Sequence, residues 1–180
     1  MRSERFVKGA AVSVAVVLTA IAAGAVSLRA ADKSETLVYA VYNGQDTATQ
    51  VFKSMKSAQS STGERIESYA VVSKDLKGKV TVRDQRKRDS GVGAVLGGVI
   101  GLVGGPVGVA AGAAAGGAAG YLTGDAVGIP RDKVESMKQS LTNDSSALVV
   151  VLEDKWVKDV EHDLNQANAR AVIANQIAGK

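Results

Sequence analysis

The sequence predicts an α+β protein with a ferredoxin-like body, an inserted glycine-zipper helical hairpin and a C-terminal helix. Two continuous apolar runs, LVYAVY at 37–42 and ALVVVL at 147–152, are typical of central strands covered on both faces. Apolar residues at helical spacing follow the first run and precede the second. Between them lies an uncharged stretch, residues 91–124, in which glycine recurs about every fourth position.

These patterns divide the chain into five segments. They are a signal peptide or N-terminal membrane anchor (1–31), the first part of the body (32–90), the glycine-zipper membrane hairpin (91–124), the second part of the body (125–154) and a C-terminal helix (155–180).

The N-terminal segment has the features of an export signal. Arg2, Arg5 and Lys8 precede an apolar run at 9–26, and Ala23-Gly24-Ala25 is a candidate cleavage site. We favour a cleaved signal peptide, and the length of the run also fits a single anchoring helix. In either case the charge bias keeps the N-terminus in the cytoplasm and sends the body across the membrane. We therefore expect a protein of the cell envelope whose body is extracytoplasmic.

The body predicts the element order β-α-β-β-α-β of the split ferredoxin-like pattern. A turn at 75–78 joins the second strand to a return strand at 79–83, and Pro130 opens the second helix. The residues expected on the buried helix stripes are Ala48, Val51, Phe52, Met55 and Ala58 in the first helix and Val134, Met137 and Leu141 in the second.

The glycine pattern predicts two short helices that pack closely, with a break at Gly104-Gly105-Pro106. In lipid, small residues at every fourth position allow helix backbones to approach each other. The predicted helix-packing residues are Gly93, Gly97, Gly101, Gly105, Gly108, Gly112, Gly116, Gly120 and Gly124. A flexible linker would use serine and other polar residues, and a dinucleotide loop would not continue the glycine repeat.

The first arm of the hairpin, residues 91–103, has an apolar face beside its glycines that suits lipid tails. That face comprises Val92, Val95, Leu96, Val99, Ile100 and Val103. At 1.5 Å per residue the arm is about 20 Å long, shorter than the hydrocarbon core of a bilayer. We therefore expect the hairpin to dip into one leaflet or to cross a thinned bilayer, with the alanine-rich second arm more enclosed.

Basic residues lie directly before the hairpin, at Arg83, Arg86, Lys87 and Arg88. They are candidates for contact with anionic lipid headgroups. The alternative is a solvated loop whose charge Asp84 and Asp89 partly offset.

The C-terminal segment carries apolar residues at the alternating spacing of a coiled-coil seam. They are Val157, Val160, Leu164, Ala167, Ala171, Ala174 and Ala178. The pattern fits a subunit contact and equally a helix docked on its own domain.

Catalytic, metal-binding and cofactor-binding residues are not evident, and we predict no enzyme and no cofactor. The chain has no cysteine and one histidine, His162, which with Asp159 and Asp163 forms no closed ligand set. The net charge of +4 comes mostly from the N-terminal segment, and aromatic residues are scarce. A nucleic-acid partner is therefore not expected, and no small-molecule substrate is evident.

The sequence resembles a family of uncharacterised bacterial membrane proteins with a domain of unknown function, distantly similar to general stress proteins. The resemblance rests on AVVSKDLKGKVTVRD, on GAVLGGVIGLVGGPVGVAAGAAAGGAAG and on SSALVVVLED, within residues 36–154. It implies a membrane-associated protein with a ferredoxin-like body and no established activity.

We therefore expect a membrane-associated, self-assembling envelope protein, with a stress-related role implied by the resemblance. Its expected partners are the lipid membrane and further copies of itself. The alternatives are an oligomeric pore or permeability factor, and a soluble homo-oligomeric ligand-binding domain with a buried hairpin.

Overall fold

The computed structural model describes residues 34–57, 66, 68–87, 90–116 and 128–177. Its elements in chain order are strand β1 (Glu35–Asn43), helix α1 (Thr47–Ser57), strands β2 (Ser68–Lys74) and β3 (Val80–Arg86), helices α2 (Ser90–Gly116) and α3 (Arg131–Ser140), strand β4 (Ser145–Glu153), a 3-10 turn (Asp154–Trp156), helix α4 (Val157–Gln166) and strand β5 (Ala171–Ile177). The predicted α+β class is confirmed.

The five strands form one antiparallel sheet in the order β3-β2-β4-β1-β5. The central pair, β1 and β4, is in register along its whole length, from Glu35 opposite Glu153 to Asn43 opposite Ser145. Nearly every residue of these two strands is buried, because helices cover both faces of the sheet. This explains why their sequences are continuously apolar and do not alternate.

Two hydrophobic clusters lie on opposite faces of the sheet. On one face, hereafter the α1/α4 face, Phe52, Met55, Val160 and Leu164 pack against β1, β2 and β4. On the other, the α2/α3 face, helices α2 and α3 pack against each other and cover the sheet. The helix residues buried there are Val92, Leu96, Val99, Ile100, Val103, Val134 and Met137.

The local predictions for the body are largely confirmed. The helix stripes are buried at Ala48, Phe52 and Met55 in α1 and at Val134 and Met137 in α3, with Leu141 buried just after α3. Val51 is half-buried, and Ala58 lies outside the described residues. β2 and β3 form the predicted hairpin.

The predicted β-α-β-β-α-β assignment is not confirmed. In that pattern the strand at 79–83 would lie inside the sheet, whereas β3 is an edge strand that pairs with β2 alone. β4 takes the inner place between β1 and β2. The physical reason is that β4 is apolar on both sides, whereas β3 carries Arg83, Asp84 and Arg86 and suits an edge.

The prediction of one C-terminal helix over 155–180 is wrong. Helix α4 ends at Gln166, and Asn168 takes a positive φ of 60° that stops the helix. Ala171 and Ala174, expected on a coiled-coil seam, belong to β5, which pairs with β1. Only the first part of the expected seam forms, with Val160 and Leu164 buried on the α1/α4 face.

The prediction that the first hairpin arm presents its apolar face to lipid is also wrong. Val92, Leu96, Val99, Ile100 and Val103 are buried on the α2/α3 face, and Val95 packs beside them half-buried. These side chains pack against the apolar face of the sheet. In the part of the chain that the structure describes, no helix is both long and apolar enough to cross a membrane.

Candidate functional site

The β3 edge of the sheet carries a strip of exposed cations that begins at the β2–β3 turn. The strip, hereafter the basic edge, consists of Lys77, Lys79, Arg83, Arg86 and Lys87, all exposed. Since β3 has seven residues, the strand part of the edge is roughly 20 Å long. Three of the four predicted headgroup contacts, Arg83, Arg86 and Lys87, belong to it, and the fourth, Arg88, lies outside the described residues.

A β-bulge determines where Arg83 points. Val71 lies opposite Asp84 and Val72 opposite Val82, so Arg83 is the extra residue on β3. Its Nε donates to Ser73 Oγ at 2.7 Å, and its Nη2 lies 4.0 Å from Asp46 Oδ1. Because the side chain of Arg83 is 42% exposed, this ion pair is a weak surface contact that leaves the cation available to an anion.

The two carboxylates within this edge are occupied by internal hydrogen bonds. Asp75 Oδ1 accepts from the backbone amides of Lys77 and Lys79, both at 2.8 Å. Asp84 Oδ2 accepts from the hydroxyl of Tyr69 at 3.2 Å. The five cations between residues 75 and 87 therefore outnumber the two carboxylates, and the edge has a net positive charge.

Behind the edge lies a small aromatic cluster. The rings of Phe52 and Tyr69 are 4.0 Å apart between centroids, and Lys56 Nζ lies 5.5 Å and 6.0 Å from them. Burial raises the pKa of Tyr69, Asp84 raises it further, and Arg86 lowers it. The phenol thus stays neutral and donates to Asp84, which fixes the far end of the basic edge to α1 and β2.

Lys87 lies at the junction between the basic edge and the glycine-rich helix. A Cβ atom built on Gly93 would come within 2.9 Å of Lys87 Cδ, so the lysine stem lies directly over this glycine. The glycine at this position lets an exposed cation run along the first turn of α2. The first predicted packing glycine therefore contacts the last basic residue of the edge.

The remaining predicted packing glycines have different surroundings. Gly93, Gly97 and Gly101 are buried within the single chain. Gly105 has φ 62° and ψ −150°, a break inside α2 at the position predicted from the sequence. Gly108, Gly112 and Gly116 lie in the second half of α2, while Gly120 and Gly124 lie outside the described residues. Close packing by the second series stays a prediction.

Gly104, which the glycine repeat did not include, makes a close approach to the sheet. A Cβ built there would lie 3.2 Å from Val80 Cγ2 and 3.3 Å from Val80 Cβ. The space between α2 and β3 therefore leaves little room for a side chain at this point. Its neighbours Gly105 and Pro106 had indicated a break in the helix but not this contact.

Sequence reasoning also missed the turn residues Leu76, Lys77 and Lys79. Leu76 is 72% exposed, and the two exposed lysines follow it one and three residues further along the chain. The signal that identifies them is an apolar residue inside a polar turn, Asp75-Leu76-Lys77-Gly78, where turn chemistry alone favours polar residues.

No group of three His, Asp or Glu side chains that could hold a metal ion is present in the part of the chain that the structure describes. His162 is exposed on α4, with its Nε2 atom 2.6 Å from Gln166 Nε2.

Residues 91–179, just under half of the chain, match the family model described as "Protein of unknown function (DUF1269)". No curated protein is similar to the chain. No solved structure matches it either. The match runs from α2 to the end of β5, so it includes the glycine-rich helix and β4 but not the basic edge.

Proposed function

We propose that this chain is a membrane-associated envelope protein whose body lies on an anionic lipid surface through the basic edge. The observation that carries the proposal is the excess of positive charge along the basic edge. Five exposed cations of the basic edge outnumber its two carboxylates, Asp75 and Asp84, which also accept hydrogen bonds within the fold. Near an anionic membrane each exposed cation contributes about 1 kcal/mol of attraction, so five together give a salt-sensitive contact.

The position of the edge supports the same function. Lys87 leads directly into α2, and from 91 to 124 the sequence has no charged residue. Since the sheet takes up the apolar face of the first arm, contact with lipid tails falls to the second arm and to the N-terminal segment. The basic edge then holds the headgroups while these apolar segments provide the anchorage.

Lysine footprinting on vesicles tests this function with the 180-residue chain. A water-soluble acylating reagent is applied to the protein on vesicles of phosphatidylcholine with and without phosphatidylglycerol, and each modified lysine is measured by mass spectrometry. We expect Lys77, Lys79 and Lys87 to be protected severalfold on the anionic vesicles, and Lys138 and Lys158, exposed on α3 and α4, to be unchanged.

A charge-reduced variant provides the matched control. Arg83→Gln with Arg86→Gln should lower the protection of Lys87, whereas Lys138→Gln with Lys158→Gln should leave it as in the parent chain. Equal acylation of Lys87 on neutral and anionic vesicles would contradict the proposed function.

A second function, a soluble homo-oligomeric domain with a buried hairpin, is favoured by one observation. The apolar face of the first arm is covered by the body of the same chain, so this part of the hairpin needs no lipid. Fractionation without detergent separates the two functions. Recovery as a soluble oligomer supports the second, and recovery with membranes supports the first.

Both proposed functions include self-assembly through the glycines that follow the break at Gly105. Gly116→Leu adds bulk on the predicted contact ribbon, so we expect it to lose the oligomer in crosslinking without leaving its cellular fraction. Ser136→Leu places the same side chain on an exposed position of α3 and should leave assembly unchanged. Normal assembly of Gly116→Leu would exclude close helix packing on this ribbon.

We also propose that β1, α1, β2, β4, α4 and β5 form a ferredoxin-like unit into which β3, α2 and α3 are inserted. β1 and β2 both pair antiparallel with β4, which lies between them. β4 and β5 both pair antiparallel with β1. The connecting helices α1 and α4 lie on one face, as in a split β-α-β arrangement. In this interpretation the basic edge belongs to the insertion.

A further inference from the structure

The turn between β2 and β3 exposes an apolar side chain at the end of the basic edge. Leu76 is 72% exposed and is the exposed large hydrophobic residue of the described part of the chain. A single exposed leucine is ordinary on a protein surface. Leu76 differs from an ordinary exposed leucine in two respects: hydrogen bonds hold its turn in place, and two lysines follow it.

The turn is held by hydrogen bonds on both sides of Leu76. Gly78 N donates to Asp75 O and Asp75 N to Lys79 O, both at 3.0 Å, which closes the turn. Gly78 has φ 82°, a conformation that favours glycine. From another element, Asn143 Nδ2 donates to Leu76 O at 3.0 Å. The backbone carbonyl of Leu76 is therefore held toward the protein while its side chain remains in solvent.

The charges around Leu76 match an anionic surface. Lys77 and Lys79 are exposed, and the carboxylate that precedes Leu76 in the chain, Asp75, accepts from their backbone amides. Lys74 is turned away, because its Nζ donates to Leu141 O at 3.1 Å. An exposed apolar side chain followed by two exposed lysines has the chemistry of the headgroup region, where apolar side chains enter the lipid and lysines remain among the phosphates.

We infer that the β2–β3 turn inserts Leu76 into the headgroup region of an anionic membrane, with Lys77 and Lys79 contacting the lipid phosphates. This inference rests on the proposed membrane contact of the basic edge and specifies its orientation. The turn, at one end of β3, enters the bilayer surface, and Arg83, Arg86 and Lys87 lie along the headgroups from that point.

A probe placed at the tip tests the inference in the 180-residue chain. The chain has no cysteine, so Leu76→Cys can carry a single environment-sensitive fluorophore. On vesicles of phosphatidylcholine with phosphatidylglycerol, we expect its emission to shift to the blue and to be quenched by lipid-attached quenchers. The same label at Lys158→Cys, on α4, should keep the emission of a water-exposed dye, and vesicles of pure phosphatidylcholine should give a much smaller shift at position 76.

Lysine footprinting of Leu76→Ser completes the test without a label. This substitution keeps the turn and removes the apolar side chain, so protection of Lys77 and Lys79 should fall severalfold while protection of Lys87 changes less. A water-like emission at position 76 with Lys87 still protected would overturn the inference and leave the proposed function in place. If the anionic vesicles protect none of the three lysines in the parent chain, both the inference and the proposed function are overturned.

A protein partner would give a different result. If the emission at position 76 shifts with protein concentration in the absence of vesicles, the tip contacts another copy of the chain, and insertion into lipid is excluded as its role.

Discussion

Both apolar faces of the sheet are covered by helices, but the helices differ: those on one face are amphipathic, whereas the first half of α2 on the other is uncharged. On the α1/α4 face, short amphipathic helices place Phe52, Met55, Val160 and Leu164 on the sheet and charged residues toward solvent. On the α2/α3 face, the first half of α2 carries no charge and has no exposed residue from Val92 to Gly105. Both faces reach the same degree of burial in the sheet beneath them.

The two faces also share one anchoring device. Neighbouring parts of β1 send Tyr39 to the α2/α3 face and Tyr42 to the α1/α4 face. Tyr39 donates to Met137 O of α3 at 3.3 Å, and Tyr42 donates to Leu164 O of α4 at 3.4 Å. Each helix is therefore tied to the central strand near its C-terminal end. An uncharged, glycine-rich helix therefore serves as an ordinary core element when a sheet face needs an apolar cover.

The largest effect should come from truncating one core leucine on each face. Leu96 and Leu164 are both fully buried, so Leu96→Ala and Leu164→Ala should each lower the free energy of unfolding by about 3 kcal/mol. Urea unfolding followed by the fluorescence of Trp156 measures both. If Leu96→Ala costs almost nothing while Leu164→Ala costs the expected amount, α2 does not belong to the core and the two faces are not equivalent.

Gly105→Ala should have the next largest effect, and it acts on the α2/α3 face alone. With φ 62° and ψ −150° this residue lies in a region that side chains disfavour, although no atom within 4 Å would touch a Cβ there. We expect a loss of about 2 kcal/mol from backbone strain, measured by the same urea unfolding. A neutral Gly105→Ala would show that the break is not required.

Removing each tyrosine hydroxyl should cost about 1 kcal/mol near neutral pH, because a hydrogen bond to a helix carbonyl is lost. Burial also raises the pKa of Tyr39 and of Tyr42 well above the ordinary value. In the unfolded chain these phenols ionise near pH 10, while in the folded chain they remain neutral. Their contribution is complete below about pH 10 and is lost as the pH rises toward the folded pKa.

We therefore expect the free energy of unfolding to fall as the pH rises above about 10. Tyr39→Phe and Tyr42→Phe should each make that fall shallower, which urea unfolding at a series of alkaline pH values measures. An alkaline loss of stability that neither substitution changes would mean that other groups cause it.

The smallest effect should come from Gly104→Ala, where two terms oppose each other. The added methyl would lie 3.2 Å from Val80 Cγ2, while alanine gains up to about 1 kcal/mol over glycine in helix propensity. We expect a net loss below about 1 kcal/mol. In the Val80→Ala background the same substitution should become stabilising. A double-mutant cycle measures this coupling, and additive effects would show that the two residues do not touch.

Much of the local structure could be predicted from the sequence. The runs at 37–42 and 147–152 predicted the two central strands because residues apolar on both sides need cover on both faces. The stripes of α1 and α3 and the break at Gly105 were also predicted. Each of these depends on spacing between near neighbours in the chain, or on the conformational range of a single residue.

The candidate site could be predicted only in part. Arg83, Arg86 and Lys87 formed a basic cluster already in the sequence, but Leu76, Lys77 and Lys79 join them only because the β2–β3 hairpin places the turn at the end of the same edge. The hydrogen bonds that hold Asp75 and Asp84 depend on the turn geometry and on Tyr69 from another strand.

Strand order, the cover of α2 and the nature of residues 171–177 were decided by contacts between distant parts of the chain. An apolar helix face requires burial, but its composition does not say whether lipid or a sheet provides it; here β1, β2 and β4 do. Residues 171–177 have a spacing that suits a helix, yet they become β5 because the open edge of β1 offers hydrogen bonds along its length. The sequence alone determines which residues must be buried and where the backbone can turn. Which partner buries them depends on pairings between residues more than one hundred positions apart, such as Leu37 with Val151, which no local pattern encodes.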